Sequence, residues 1–110
     1  WRSGRRSPAG EVQAFYPAQF QREAGCTEAE WLMWLPAALG DRPARLGEGR
    51  AEVAIDGGTL ELSWHALPSR RIALVTLPRL AVSFRFENVG DAARHAFMKR
   101  FDLYMQRGGG

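Results

Sequence analysis

Between positions 50 and 87, apolar residues recur at every second position, which is the period of β-strands that are buried on one face. The first two runs predict an antiparallel hairpin whose apolar residues share one face: Ala51, Val53, Ile55, Leu60, Leu62 and Trp64. The connection is a two-residue type I′ turn at Asp56-Gly57 or at Gly57-Gly58. Either choice keeps this face apolar, whereas a three-residue loop would place Val53 opposite Glu61.

Two further strands are predicted downstream. A turn at 67–70 leads into a third strand at 71–77, and a turn at 77–80 leads into a fourth strand that ends at 87. In this register Val75 opposes Val82 and Ala73 opposes Phe84, so that small residues face large ones. The inward positions of the fourth strand are Leu80, Val82, Phe84 and Phe86.

A helix is predicted on each side of these strands. The first begins at a capping box formed by Thr27 and Glu30. Pro36 either ends this helix near Leu35 or kinks it, in which case the helix continues to Leu39 and Gly40 stops it. The second helix starts at the N-cap residue Asp91. Its apolar face would hold Ala93, Phe97, Phe101, Tyr104 and Met105.

The remaining segments precede the first helix. Residues 1–10 are predicted to be a flexible basic tail, and residues 11–26 have no clean period. Because Pro17 disfavours a continuous helix, we expect an irregular segment at 11–26, with a short helical turn near 18–23 as an option. The predicted fold is therefore a single α+β domain over residues 11–110. It is a four-stranded antiparallel meander with the C-terminal helix packed on one face and a short N-terminal helix, in the order α-β-β-β-β-α.

Charge is divided unevenly along the chain. The chain has 15 basic and 12 acidic residues, and three arginines in the tail account for the whole excess. Residues 11–69 carry a net charge of −5, and residues 70–110 carry +5. Such a pattern suits pairing within the chain, dimerisation or an anionic ligand. The 14 arginines against one lysine fit a GC-rich, bacterial gene, so that they do not by themselves indicate phosphate binding.

The sequence contains no motif that is specific for catalysis, metal binding or nucleotide binding. Cys26 is the only cysteine, and His65 and His95 are the only histidines. We therefore expect no catalytic residue, no metal and no cofactor, and an enzymatic role is disfavoured. A single thiol fits a reducing compartment, and no apolar run is long enough for a membrane span, so the expected location is cytoplasmic, with no membrane partner.

One candidate surface for protein contacts lies on the outer face of the predicted sheet. Ile72, Leu74 and Arg85 share this face, and the first two are too apolar for a fully wet surface. The cover would be the chain's own 11–26 segment, through Phe15, Tyr16 and Phe20, or a second copy of the chain. Of these, the chain's own segment is preferred.

The functional hypotheses follow from these features. The first is a small binding or accessory protein that acts through protein–protein contacts. Its partner would be a second copy of itself, in a homodimer formed through a sheet face or edge, or another protein. The second is a weak nucleic-acid-binding module that uses arginines and the basic tail. The predicted core position of Trp64, Phe84 and Phe86 counts against it, because bases stack on exposed aromatics. The third is a small-molecule pocket between the sheet and the helices, lined by Trp31, Trp34, Trp64, Phe84 and Phe97.

Overall fold

The computed structural model describes residues 15–107, and the predicted tail at 1–10 lies outside them. The strands are β1 (Gln19–Ala24), β2 (Ala44–Gly47), β3 (Arg50–Ile55), β4 (Gly58–Ile72) and β5 (Val75–Glu87), and the helices are α1 (Glu28–Leu39) and α2 (Asp91–Arg107). The strands form one antiparallel sheet in the order β1-β5-β4-β3-β2. The predicted α+β class is confirmed.

The predicted number of four strands was wrong, since the sheet has five and the element order is β-α-β-β-β-β-α. The short β2 lies at one edge, and β1 pairs with β5 at the other. Residues 19–24 do alternate between exposed and half-buried positions, but a half-buried arginine, Arg22, stands between Phe20 and Ala24. Because Arg22 is polar, it interrupts the alternation of apolar and polar residues in the sequence. The segment was therefore predicted to be irregular, with a helical turn as an option.

The predicted third strand at 71–77 was also wrong. Instead, β4 continues through Pro68 to Ile72, and the chain reverses at Ala73 and Leu74. Val82 consequently faces Trp64, and Phe84 faces Leu62. A β-bulge between Leu67 and Arg70 absorbs the proline, because two residues of β4 there oppose one residue of β5.

The β3–β4 hairpin agrees with the sequence prediction. Ile55 pairs with Gly58, so the turn is Asp56-Gly57, and both turn residues have positive φ (45° and 82°) as a type I′ turn requires. Every apolar residue that was predicted to face inward in this hairpin is buried, as are the four inward residues of β5.

Both helices cover the same face of the sheet. The capping box at Thr27 is present, and α1 runs through Pro36 to Leu39 before Gly40 ends it with a φ of 70°. The α1 residue Trp31 lies 5.6 Å from Trp64 between ring centroids. In α2, Phe97 and Phe101 meet Phe86 and Phe84 edge to face, so the predicted packing of the C-terminal helix is confirmed.

Candidate functional site: an exposed arm, a helix face and a cleft

The far end of the β4–β5 hairpin, residues 70–77, is a two-stranded ribbon that we call the arm. The pairing of β5 with β1 stops at Leu80, and the pairing of β4 with β3 stops at Ser63. The arm therefore has no neighbouring strand on either side, and each of its residues is exposed. A two-stranded ribbon with no cover is marginally stable in water, so something must support it.

The arm exposes large apolar side chains. Leu74 at the tip is 93% exposed, and three more residues of the arm are 40–54% exposed: Ile72, Val75 and Leu77. Isolated apolar residues on a surface are ordinary, but four within six positions form a patch of the kind found at interaction sites.

The base of the arm is fixed to the body of the sheet by Arg79. Its guanidinium donates to both carboxylate oxygens of Glu23 on β1, at 2.8 and 3.0 Å, and to the carbonyl oxygen of Pro68 at 3.2 Å. The guanidinium of Arg79 and its hydrogen bond also hold the pKa of Glu23 below its usual range. The bulge at Pro68 thus has a defined orientation relative to β1.

Residues 62–86 contain four arginines and no acidic residue. Arg70 and Arg71 belong to the arm, and both are exposed. The arm therefore combines an apolar tip with a positive charge. A surface that complements it would be apolar and acidic.

A second uncovered apolar surface lies on α1. Its buried side holds Trp31, Leu35, Ala38 and Leu39, as the core requires. Its outer side is apolar as well, and all of the residues there are exposed: Ala29, Leu32, Met33, Pro36 and Ala37. A helix that is apolar on every side is normally covered on every side. Residues 24–41 include three acidic residues and no basic one, so the stretch that contains α1 is acidic, whereas the arm is basic.

The residues predicted for the interaction surface are separated in the structure. Ile72 and Leu74 lie in the arm, whereas Arg85 lies ten residues along β5 from Val75, which corresponds to about 33 Å of extended strand. Arg85 is paired with Glu61 at 3.5 Å and with Glu87 at 3.0 Å on the open face of the sheet. The arm was not recognised as an arm, because the turn at Ala73 and Leu74 carries no turn residue.

The preferred cover for Ile72 and Leu74, the segment at 11–26, does not cover them in the described residues 15–26. Phe20 stacks on Phe84 on the core side of the sheet, with 4.7 Å between ring centroids. Tyr16 is buried in the same core. This prediction was wrong, because residues 19–24 form an edge strand rather than a layer across the sheet.

A cleft of about 660 Å³ lies between β1, the start of α1 and the end of α2. Trp31, Trp34 and Phe84, three of the five residues predicted for an aromatic pocket, line this cleft. The other two, Trp64 and Phe97, are buried in the core and are not part of the lining. Trp64 instead donates its indole N–H to Glu28 at 3.0 Å.

Arg22 and Asp102 form the polar side of the cleft. The guanidinium of Arg22 donates to both carboxylate oxygens of Asp102, at 2.5 and 3.0 Å, and Tyr16 donates its hydroxyl to the same carboxylate at 3.2 Å. Burial, followed by the negative charge of Asp102, raises the pKa of Tyr16. Burial opposes the charge on Arg22, but the contact with Asp102 outweighs it and raises the pKa of Arg22. Sequence reasoning missed this group, because no local pattern connects residues 80 positions apart.

Cys26 also lines the cleft, but it is not an activated thiol. The side chain is buried, and this burial, followed by the charge of Glu30, raises the pKa of the thiol. A thiol with a raised pKa remains protonated at neutral pH and is a poor nucleophile.

The nucleic-acid hypothesis lacks an aromatic platform within residues 15–107. The helix-covered face holds Trp64, Phe84 and Phe86, and all three are buried, as their alternate positions along the strands predicted. The open face of the sheet has a hollow of about 600 Å³, in which arginines alternate with Glu52 and Glu61. Base stacking on this face therefore has no support, and only charge remains in favour of nucleic acid.

No family model matches the chain, and neither a curated protein nor a solved structure is similar to it at a significant level. In the part of the chain that the structure describes, none of the helices has the length and apolar character that crossing a membrane demands.

Proposed function

We propose that this chain is a small binding or accessory protein that acts through protein–protein contacts, and that its first partner is a second copy of itself. The observation that supports this proposal best is the presence of two complementary uncovered surfaces on one molecule. The arm is apolar and basic, and the outer face of α1 is apolar and flanked by acids.

In the proposed dimer, the arm of each copy lies across α1 of the other copy. A two-fold axis would make this contact twice, so that both uncovered surfaces of both copies are buried. Contact between Leu74 and Met33 would bring together the most exposed large apolar residue of each surface, 93% and 69% exposed. Arg70 and Arg71 would approach the stretch that contains Glu28, Glu30 and Asp41.

A cytoplasmic location is part of the same proposal. It is supported by the sequence, which has one cysteine, and by the buried position of that cysteine, Cys26. Because Cys26 is buried, it is not placed to form a disulfide with its counterpart in the second copy, so the proposed dimer depends on non-covalent contacts.

Sedimentation velocity of the full chain tests the proposal. The wild type should sediment as a dimer at high concentration, and Leu74→Thr and Met33→Gln should each shift it towards the monomer. Each substitution removes roughly 1.4 kcal/mol of apolar contact from one arm–helix contact. A two-fold dimer contains this contact twice, so each substitution should weaken the association constant about a hundredfold. The matched control is Leu46→Thr on the edge strand β2, where the side chain is 62% exposed and lies outside both surfaces.

A mixing experiment separates an arm–helix contact from an arm–arm contact. A heterodimer of Leu74→Thr with Met33→Gln retains one contact in which both residues are native. The second contact carries both changes, and changes at residues in contact do not add. The mixture should therefore associate more strongly than either variant alone. An arm–arm dimer would show no such recovery, and a wild type that stays monomeric throughout would overturn the proposal.

A further inference from the structure

The cleft between β1, α1 and α2 is a separate feature from the two surfaces of the proposed dimer. Its volume of about 660 Å³ lies within the range of sites that hold small organic molecules. Aromatic rings dominate its walls: Trp31 and Trp34 come from α1, Phe84 from β5 and Phe101 from α2. Planar rings make offset or edge contacts with such walls, so the shape and lining suit an aromatic body.

The polar groups in the cleft are rich in donors and poor in acceptors. The carboxylate of Asp102 already accepts two hydrogen bonds from Arg22 and one from Tyr16. The other carboxylate in the lining, that of Glu23, is engaged by Arg79. Both acidic groups of the lining are thus committed to arginines of the same molecule.

One charged donor in the lining has no such commitment. Lys99 is exposed and lines the cleft, and within residues 15–107 it belongs to none of the salt bridges. A ligand for this cleft should therefore bring negative charge.

We infer that the cleft binds a small aromatic carboxylate, with its ring system against the tryptophan and phenylalanine walls and its carboxylate towards Lys99. An aromatic cation would instead meet Lys99 with no free acid to balance it. A neutral aromatic molecule would use the walls but would leave the charge of Lys99 without a partner.

Calorimetric titration of the full chain with 2-naphthoate tests this inference. The matched probe is 2-naphthamide, which is neutral. Lys99→Gln should weaken naphthoate binding about fivefold and leave naphthamide binding unchanged. Arg71→Gln removes the same charge from the arm and should change neither. Trp34→Ala removes one half-buried wall and should weaken both probes about tenfold.

Two results would overturn the inference. One is the absence of saturable binding of naphthoate, and the other is equal binding of the two probes with no response to Lys99→Gln. Should Trp34→Ala fail to fold, Lys99→Gln still decides the question, because an exposed lysine is not needed for the core. Leu74→Thr should bind naphthoate like the wild type, so that failure of the dimer and failure of the cleft remain distinguishable.

Discussion

Arg94 shows how one side chain connects segments that are far apart in the chain. It is buried, and its guanidinium donates to the carbonyl oxygens of Tyr16 at 2.9 Å and Val89 at 2.7 Å, and to the carboxylate of Asp91. The residue thereby connects the segment before β1, the loop after β5 and the first turn of α2. Tyr16 lies 78 positions from Arg94 in the chain, so no local sequence pattern identifies this contact.

Replacing Arg94 should therefore lower the free energy of unfolding, because this side chain is buried and its hydrogen bonds connect three segments. Arg94→Met leaves two backbone carbonyls without their donor, and we expect the free energy of unfolding to fall by about 2–3 kcal/mol. Urea denaturation followed by circular dichroism measures this. Arg71→Met on the exposed arm is the control and should change stability by less than about 0.5 kcal/mol. Equal losses in the two variants would mean that the contacts of Arg94 contribute nothing specific.

Tyr16 offers a test of the polar group in the cleft. Its pKa is raised first by burial and then by Asp102, so Asp102→Asn should lower the pKa of Tyr16. Tyrosinate absorbance in a Tyr104→Phe background reports Tyr16 alone, since the chain has two tyrosines. An unchanged pKa in the asparagine variant would contradict the contact.

The raised pKa of Tyr16 also determines how the stability of the fold changes with pH under alkaline conditions. The unfolded chain releases the Tyr16 proton near pH 10, and the native state releases it at higher pH. The contribution of Tyr16 to stability is therefore complete below pH of about 10 and is lost as the pH rises through the raised native pKa. Asp102→Asn should make this loss smaller, because it brings the two pKa values closer together.

At the level of elements, the features that depend on neighbouring residues could be predicted. The two-residue connection of the β3–β4 hairpin, the capping box at Thr27 and the inward face of β5 each follow from residues a few positions apart. The end of the β4–β5 hairpin could not be predicted. Pro68 and Ser69 are typical of a turn but lie at a bulge, while the real turn at Ala73 and Leu74 has neither glycine nor asparagine.

The β3–β4 turn provides a matched pair of glycine substitutions. A Cβ on Gly58 would lie 2.3 Å from the backbone oxygens of Glu87 and Asn88, whereas a Cβ on Gly57 would meet no atom within 4 Å. Gly57→Ala should therefore cost about 1 kcal/mol, from its positive φ alone. Gly58→Ala should cost about 3 kcal/mol, because β4 and the end of β5 must separate. Thermal unfolding of the two variants measures the difference, and a smaller loss at position 58 would contradict this close approach.

The turn of the arm provides the opposite test, because there a glycine should stabilise. Ala73 has a φ of 55°, a conformation that costs an L-residue about 1 kcal/mol and glycine little. Ala73→Gly should slow hydrogen exchange of the arm amides about two- to fivefold, since the arm opens separately from the body of the sheet. Ala54→Gly in β3 is the control and should lower stability, because glycine within an ordinary strand is unfavourable. Faster exchange in the Ala73 variant would contradict the turn.

At the level of the whole molecule, the charges of the acidic and the basic half of the sequence are partly paired within the fold and partly left on the surface. Part of the charge is paired within the chain, where Glu23 pairs with Arg79 and Glu61 pairs with Arg85. The remainder stays on the surface, as an acidic stretch around α1 and a basic stretch around the arm. The sequence could predict the division, but only the fold shows which charges are paired internally.

The proposed dimer makes a prediction for the stability of the whole molecule. When unfolding also separates two copies, higher protein concentration favours the native state by mass action. We expect the Tm of the wild type to rise by about 3 °C for each tenfold increase in concentration, given the unfolding entropy of two domains of this size. In Leu74→Thr, whose association constant is about a hundredfold lower, the Tm should not depend on concentration over the range in which the wild type first shows this rise.

Leu46→Thr, with its change on the edge strand, should retain the full concentration dependence of the wild type. Differential scanning calorimetry across about two decades of concentration compares the three proteins. A Tm that rises in all three would mean that the copies meet elsewhere than at the arm. A loss of the dependence in Leu46→Thr alone would assign the interface to β2, since an open sheet edge is the other place at which two copies of a sheet can pair.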